Sequence, residues 1–181
     1  MADQVFTSGQ ILTAAQMTAL QANSGLVYIK TQTIGSAVST VPVTSAFSAT
    51  FDAYKIVVTG GTPSANGNMR LVLGASVTGY YAARNGITWS TGLRSDGVDN
   101  NAAIWAAVGT AQTNGLAAEI TIINPGIAKY STIAGAYNND TASVVYSGTH
   151  QVATAFTDFT ISPSSGTWTG GTVIVYGYRL S

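Results

Sequence analysis

The chain has 181 residues, 46% hydrophobic and only 8% charged, with seven Lys+Arg balancing seven Asp+Glu, one His and no Cys. Phosphate binding needs a basic face and membrane-surface helices need Lys/Arg-rich polar faces, so the composition argues against nucleic-acid and membrane partners. Without Cys there is no disulfide framework, thiol catalysis or zinc–thiolate site, and with so few charges the surface falls to Ser, Thr, Asn and Gly, as in chains built to assemble.

The opening MADQVFTSGQ has an acid at Asp3 and no basic-then-apolar run, which is not the pattern of a secretory signal; the expectation is synthesis in a cytosol. No run approaches the ~18 apolar residues of a membrane-spanning helix. Residues 1–25 read as an arm and residues 26–181 as one β domain.

Within the arm, Thr13-Ala14-Ala15-Gln16 fits a capping box, the Thr hydroxyl accepting from the third helical N–H and Gln16 reaching back to the Thr13 N–H. Leu12 and Met17 take the two positions of a hydrophobic staple, and Asn23-Ser24-Gly25 supplies a stop. The predicted helix is about nine residues, short of the ~12–15 that stand alone in water. Its apolar stripe of Ala14, Met17 and Leu20 is narrow, so it must dock on something.

From Gly25 onward, short runs rich in Val, Ile, Thr and Tyr alternate with Gly/Ser/Asn/Pro punctuation, the signature of an all-β sandwich or barrel. LVYIKTQTI (Leu26–Ile34) and YKIVVTGG (Tyr54–Gly61) come first, then TPSANGN as a turn region. MRLVLG puts Met69, Leu71 and Leu73 on one face and Arg70 on the other. YYAARNGITWSTG (Tyr80–Gly92) reads as turn-rich, and loops are where binding concentrates. Tyr80, Tyr81 and Trp89 in it are candidate ligand-contact aromatics, against the plainer reading of core packing. AAIWAAVG (Ala102–Gly109) and AEITII (Ala118–Ile123) follow, the latter with Ile120 and Ile122 inward and Glu119 and Thr121 outward. YSTIAGAY, ASVVYSG, FTDFTIS and GTVIVYGY (Gly171–Tyr178) complete eight to ten strands. The last is apolar on both faces, Val173 and Val175 on one and Ile174, Tyr176 and Tyr178 on the other. Either a loop covers its second face or a neighbouring subunit does.

Catalytic patterns are sparse. His150 is the only histidine; a Ser-His-Asp relay through Asp158 lacks a G-x-S-x-G elbow, and one imidazole without a histidine partner makes a poor metal site. The acids Asp3, Asp52, Asp96, Asp99, Glu119, Asp140 and Asp158 show no spacing that singles out a glycosidase pair. DGVDNN (Asp96–Asn101) and NND (Asn138–Asp140) are oxygen-rich but lack the order of a calcium loop, so turn chemistry explains them. GTWTGG (Gly166–Gly171) is a glycine-rich turn before a strand and no phosphate loop. The residues thus suggest no catalytic, cofactor or metal site.

Three stretches resemble bacteriophage virion proteins. FTSGQILTAAQMTALQ looks like the opening of many phage tail and fibre-associated proteins; AFSATFDAYKIVVTGG (Ala46–Gly61) is similar to a stretch of phage β-sandwich tips; FTDFTISPSSGTWTGGTVIVYGYR (Phe156–Arg179) resembles their closing strands. The resemblance implies a jelly-roll-like antiparallel sandwich preceded by one short N-terminal helix, a non-enzymatic virion protein, and a homotrimer whose arm meets other virion proteins. It implies a tail-tip or fibre module contacting the host surface, with a host glycan as a candidate receptor. A capsid decoration or head-fibre protein is the alternative, and a polysaccharide-binding or polysaccharide-degrading module the third reading. In that picture Leu12, Thr13, Gln16, Met17 and Leu20 form the attachment or oligomerisation helix, and Ile174, Tyr176 and Tyr178 an interface strand.

Overall fold

A computed structural model describes residues 8, 9, 11, 13–22 and 25–178, with residues 19–22 and 94–96 described by backbone alone. Helix α1 (Ala14–Ala22) is followed by β1 (Leu26–Thr33), β2 (Val41–Val43), β3 (Ala53–Gly60), β4 (Thr62–Pro63), β5 (Gly67–Leu73), β6 (Tyr80–Thr88) and β7 (Gly92–Ala102). Then come β8 (Trp105–Gln112), β9 (Gly115–Ile123), β10 (Ser131–Asn138), β11 (Ala142–His150), β12 (Phe159–Pro163), β13 (Trp168–Thr169) and β14 (Thr172–Tyr178). Every pairing among them is antiparallel. The fold class is the one expected, an all-β antiparallel sandwich after one short helix.

Two layers arise from one hydrogen-bonded network because β8 leaves β9 early. β8 pairs β9 only from Thr110 to Gln112, next to their turn, and from Glu119 onward β10 takes over that edge of β9. Beyond the turn β8 crosses to the opposite layer and pairs with β5. The large layer runs β1-β14-β3-β9-β10-β11-β6-β7 and the small layer β2-β12-β5-β8. The chain passes between the layers repeatedly, as in a jelly roll.

Period-two burial drives the packing. Ile56, Ile120, Ile122, Val173 and Val175 from the large layer meet Met69, Leu71, Leu73, Phe159 and Ile161 from the small one, all fully or almost fully buried. Each is worth about 1.5–3 kcal/mol of burial. Aromatic contacts tie the layers: Phe47 stacks on Phe159 and meets Tyr54 edge-on, and Tyr80 meets Trp105 edge-on at 5.0 Å. Tyr146 donates to the Val108 carbonyl at 3.1 Å, and burial pushes its hydroxyl pKa up.

Two expectations need correction. Tyr80–Gly92 is no turn-rich segment: Tyr80–Thr88 is a regular strand, and the turn is confined to the tip after it. DGVDNN is no loop, since it lies within β7, an edge strand of 11 residues. Asp, Asn and Gly rarely favour strands, and Gly97 (φ 94) and Asn101 (φ 51) break its local pattern. Pairing with β6 imposes the extended form and absorbs the irregularity as bulges. NND does behave as a turn: Asn139 Oδ1 accepts from the Thr141 N–H, the Thr141 hydroxyl and the Ala142 N–H.

Candidate functional site

The capping box forms as predicted. The Thr13 N–H donates to Gln16 Oε1 at 2.9 Å and the Gln16 N–H to the Thr13 hydroxyl at 3.2 Å. The helix begins at Ala14 and spans nine residues. Ala14, Ala15, Met17 and Thr18 all face solvent, with Met17 45% exposed. Leu12 lies outside the described residues, as does the Leu20 side chain, so the staple is not described. The described side chains of the helix therefore draw little stability from the sandwich, and a helix of this length is marginal on its own.

The three candidate aromatics separate. Tyr80 is fully buried, packed against Trp105 and the His150 ring, its hydroxyl accepting from the Leu73 N–H at 2.8 Å. It belongs to the core and cannot touch a ligand. Tyr81 faces outward from the large layer, and Trp89 stands 61% exposed at the β6–β7 tip. Eight residues of extended chain put Tyr81 and Trp89 about 26 Å apart, too far to grip one small ligand. The last strand alternates as expected, with Val173 and Val175 buried and Ile174, Tyr176 and Tyr178 half-buried on the outer face. β14 lies between β1 and β3, so its outer face is continuous with that of the whole large layer.

That outer face is unusual. An antiparallel sheet with one face on a core commonly presents polar residues on the other, yet Leu26, Tyr28, Ile87, Leu93, Val98, Ile123 and Val145 all stand exposed there. An ion pair crosses it, Lys55 donating to the Glu119 carboxylate at 2.6 Å, and that hydrogen bond holds the Lys55 pKa up. Exposed pairs of this kind contribute little. Between β9 and β7 the face sinks into an open trough of about 730 Å³. Its floor is Thr132 and Ala134 of β10 with Ser147 and Thr149 of β11; Ile123 of β9 forms one wall, and Tyr81 and Val98 the other. Cross-strand register assembles it, because Thr132 pairs with both Ile123 and Thr149, and Thr149 with Tyr81. The trough escapes a reading by local pattern, since alternating Thr, Ala and Ser on a strand look like an ordinary solvent face. Its charged lining residue, Asp99, is held by Arg84.

His150 ends β11 and is fully buried. Its Nε2 lies 2.8 Å from the Ser76 hydroxyl and 3.0 Å from the Thr78 carbonyl, which fits an Nε2–H tautomer donating to Thr78. Nδ1 has no hydrogen-bond partner, and Asp158 instead accepts from the Ser45 N–H at 2.7 Å. The relay geometry is therefore not assembled. Among the described residues no three His, Cys, Asp or Glu gather as metal ligands. No family model, curated protein or solved structure matches the chain. What the residues themselves offer is thus a trough, a helix whose described apolar residues Ala14, Ala15 and Met17 face solvent, and a buried imidazole.

The imidazole has a measurable consequence. Burial pushes the His150 pKa below the ordinary 6.5, against a smaller opposing effect of the Thr78 carbonyl. The unfolded chain therefore takes up the proton first, so the stability this residue contributes is complete above pH 6.5 and declines as pH falls toward the folded-state value. We expect the unfolding midpoint in urea to drop between pH 7.5 and pH 5, a window in which histidine is the side chain with an ordinary pKa. A flat profile across that window would show that His150 protonates without cost in the folded state.

Proposed function

We propose that the chain is a non-enzymatic structural subunit of a phage virion, a homotrimeric tail-tip or fibre module whose arm helix serves assembly. The observation that carries this reading is the short α1, capped but with Met17 in solvent. The exposed apolar residues on the outer face of the large layer and the resemblance of three stretches of the chain to phage tail, fibre and tip proteins agree with it. A helix too short to stand alone and a sheet with apolar residues outside call for the same remedy, a neighbouring subunit.

Light scattering tests the reading. The full chain is expected to give three times the 18.5 kDa of one chain; a monomer at micromolar concentration would sink it. Antibody labelling of intact particles tests the tail placement, and label on the shell would transfer the protein to a head-decoration role.

A further inference from the structure

The dimensions of the trough select what can lie in it. Its walls belong to β9 on one side and to β6 and β7 on the other, so its axis follows the strands. From Ile123 to Tyr81 there are three strand spacings, about 14 Å between backbones at 4.8 Å each, which the two wall side chains narrow so that one face of a helix, not its whole girth, seats between them. An α-helix with side chains is about 10–12 Å across. The floor of Thr, Ala and Ser lets a helix settle close to the sheet, and Ile123 and Val98 supply apolar flanks. Charge raises no obstacle. The sequence of α1, AAQMTALQA, carries none, and the Asp99 carboxylate is already matched by Arg84. No isolated charge would lose its water on docking.

Tether length decides whose helix it is. Leu26, Tyr178, Ala53 and Ile123 lie opposite one another in succession, followed by Thr132 and Thr149. A helix centred over the floor is thus four to five strands from Leu26, about 19–24 Å. Three residues separate Ala22 from Leu26, and four extended steps span at most about 14 Å. Gly25, at φ 74, is not extended, which shortens the reach further. The chain's own helix cannot lie along its own trough.

We propose that the trough receives helix α1 of a second copy of this chain, Met17 pointing into it. The proposal rests on the oligomeric reading above and names its contact. Each subunit then covers the trough of a neighbour, with Ile123 and Val98 at its flanks, and has its own covered in turn, a head-to-tail exchange that closes into a ring.

The absence of cysteine makes the test clean. Full chains carrying Met17→Cys are mixed with full chains carrying Ala134→Cys and oxidised mildly; a mixed disulfide needs Cα atoms within about 7 Å. The expected result is a mixed-disulfide pair containing one chain of each kind. In parallel Ala134→Trp, which fills the floor from a solvent-facing position, is expected to reduce the scattering mass from three chains to one with the melting temperature of the monomeric fold retained. Ser147→Trp on the adjacent strand repeats that test. A trimer that forms no mixed disulfide, and whose mass survives both tryptophans, would overturn the docking while leaving the oligomer intact. An unsubstituted chain that is monomeric would overturn the oligomeric reading and the docking together.

Discussion

Asp99→Ala is expected to lower the unfolding free energy by about 3–5 kcal/mol. The carboxylate is gripped by Arg84 at two points, Nη1 to Oδ2 at 2.7 Å and Nη2 to Oδ1 at 3.1 Å, and Oδ2 also accepts from the Ala106 N–H at 3.1 Å. Both side chains are less than a tenth exposed. Truncation would remove the two-point carboxylate contact from a guanidinium in a place water barely reaches, and take from the Ala106 N–H its Asp99 acceptor. The pair joins neighbouring strands β6 and β7, and through Ala106 fastens them to β8 in the other layer. These strands carry the far wall of the trough, so the loss is structural and local to the candidate interface. The pair itself need not be stabilising overall. Replacing both partners, Arg84→Leu with Asp99→Leu, removes the buried charges together and should recover most of the loss, the Ala106 N–H remaining as the residual cost. Urea denaturation of the two single variants and the double, at one protein concentration because assembly is linked to stability, checks this. A single-variant loss under about 1 kcal/mol would mean that the pair behaves as a surface contact.

Sequence legibility followed the range of the forces involved. The helix start was readable because the Thr13–Gln16 box is local, and the bonds that define it lie within one turn. The inward faces of β5, β9 and β14 were readable because Met69/Leu71/Leu73, Ile120/Ile122 and Val173/Val175 alternate with period two. Beyond local pattern the reading failed in particular ways. β7 is held extended by β6 and not by its own residues, so Asp96–Asn101 resembled a loop. Tyr80 and Tyr81 look equivalent side by side, yet one is core and the other lines the trough; only the phase of the strand separates them. The trough is a property of register across four strands, Ile123 to Thr132 to Thr149 to Tyr81, and no window of sequence contains it. Residues of β4 and β13 were missed because strands of two residues have no period to detect.

Gly61→Ala is expected to be the more damaging of two adjacent and superficially identical substitutions. Gly60 and Gly61 share the same left-handed backbone, φ 73 and φ 72, at the end of β3. An L side chain there costs about 1–2 kcal/mol, offset in part by the ~0.4–1 kcal/mol that alanine gains by restricting the unfolded chain. For Gly60 that is nearly the whole account, because a Cβ would meet nothing nearer than the Gly171 Cα at 3.4 Å. At Gly61 the Cβ would be driven into the backbone carbonyl of Gly170. Backbone cannot swing aside as a flexible side chain does, and Gly170 is held by its N–H to the Gly35 carbonyl at 2.9 Å. The Gly-Gly pairs at 60–61 and 170–171 are pressed against each other where β3 and β14 meet, with Trp168 fully buried beside them. Separating them disturbs the Trp168 seat and the pairing of β4 with β13. Gly60→Ala should therefore cost about 1.5 kcal/mol or less, and Gly61→Ala about 4 kcal/mol or more, in the tail of single-residue effects. Urea midpoints of the two variants read the difference directly. Equal losses would show that left-handed backbone alone requires these glycines, and that the close approach of the two turns contributes nothing to holding the last strand in the large layer.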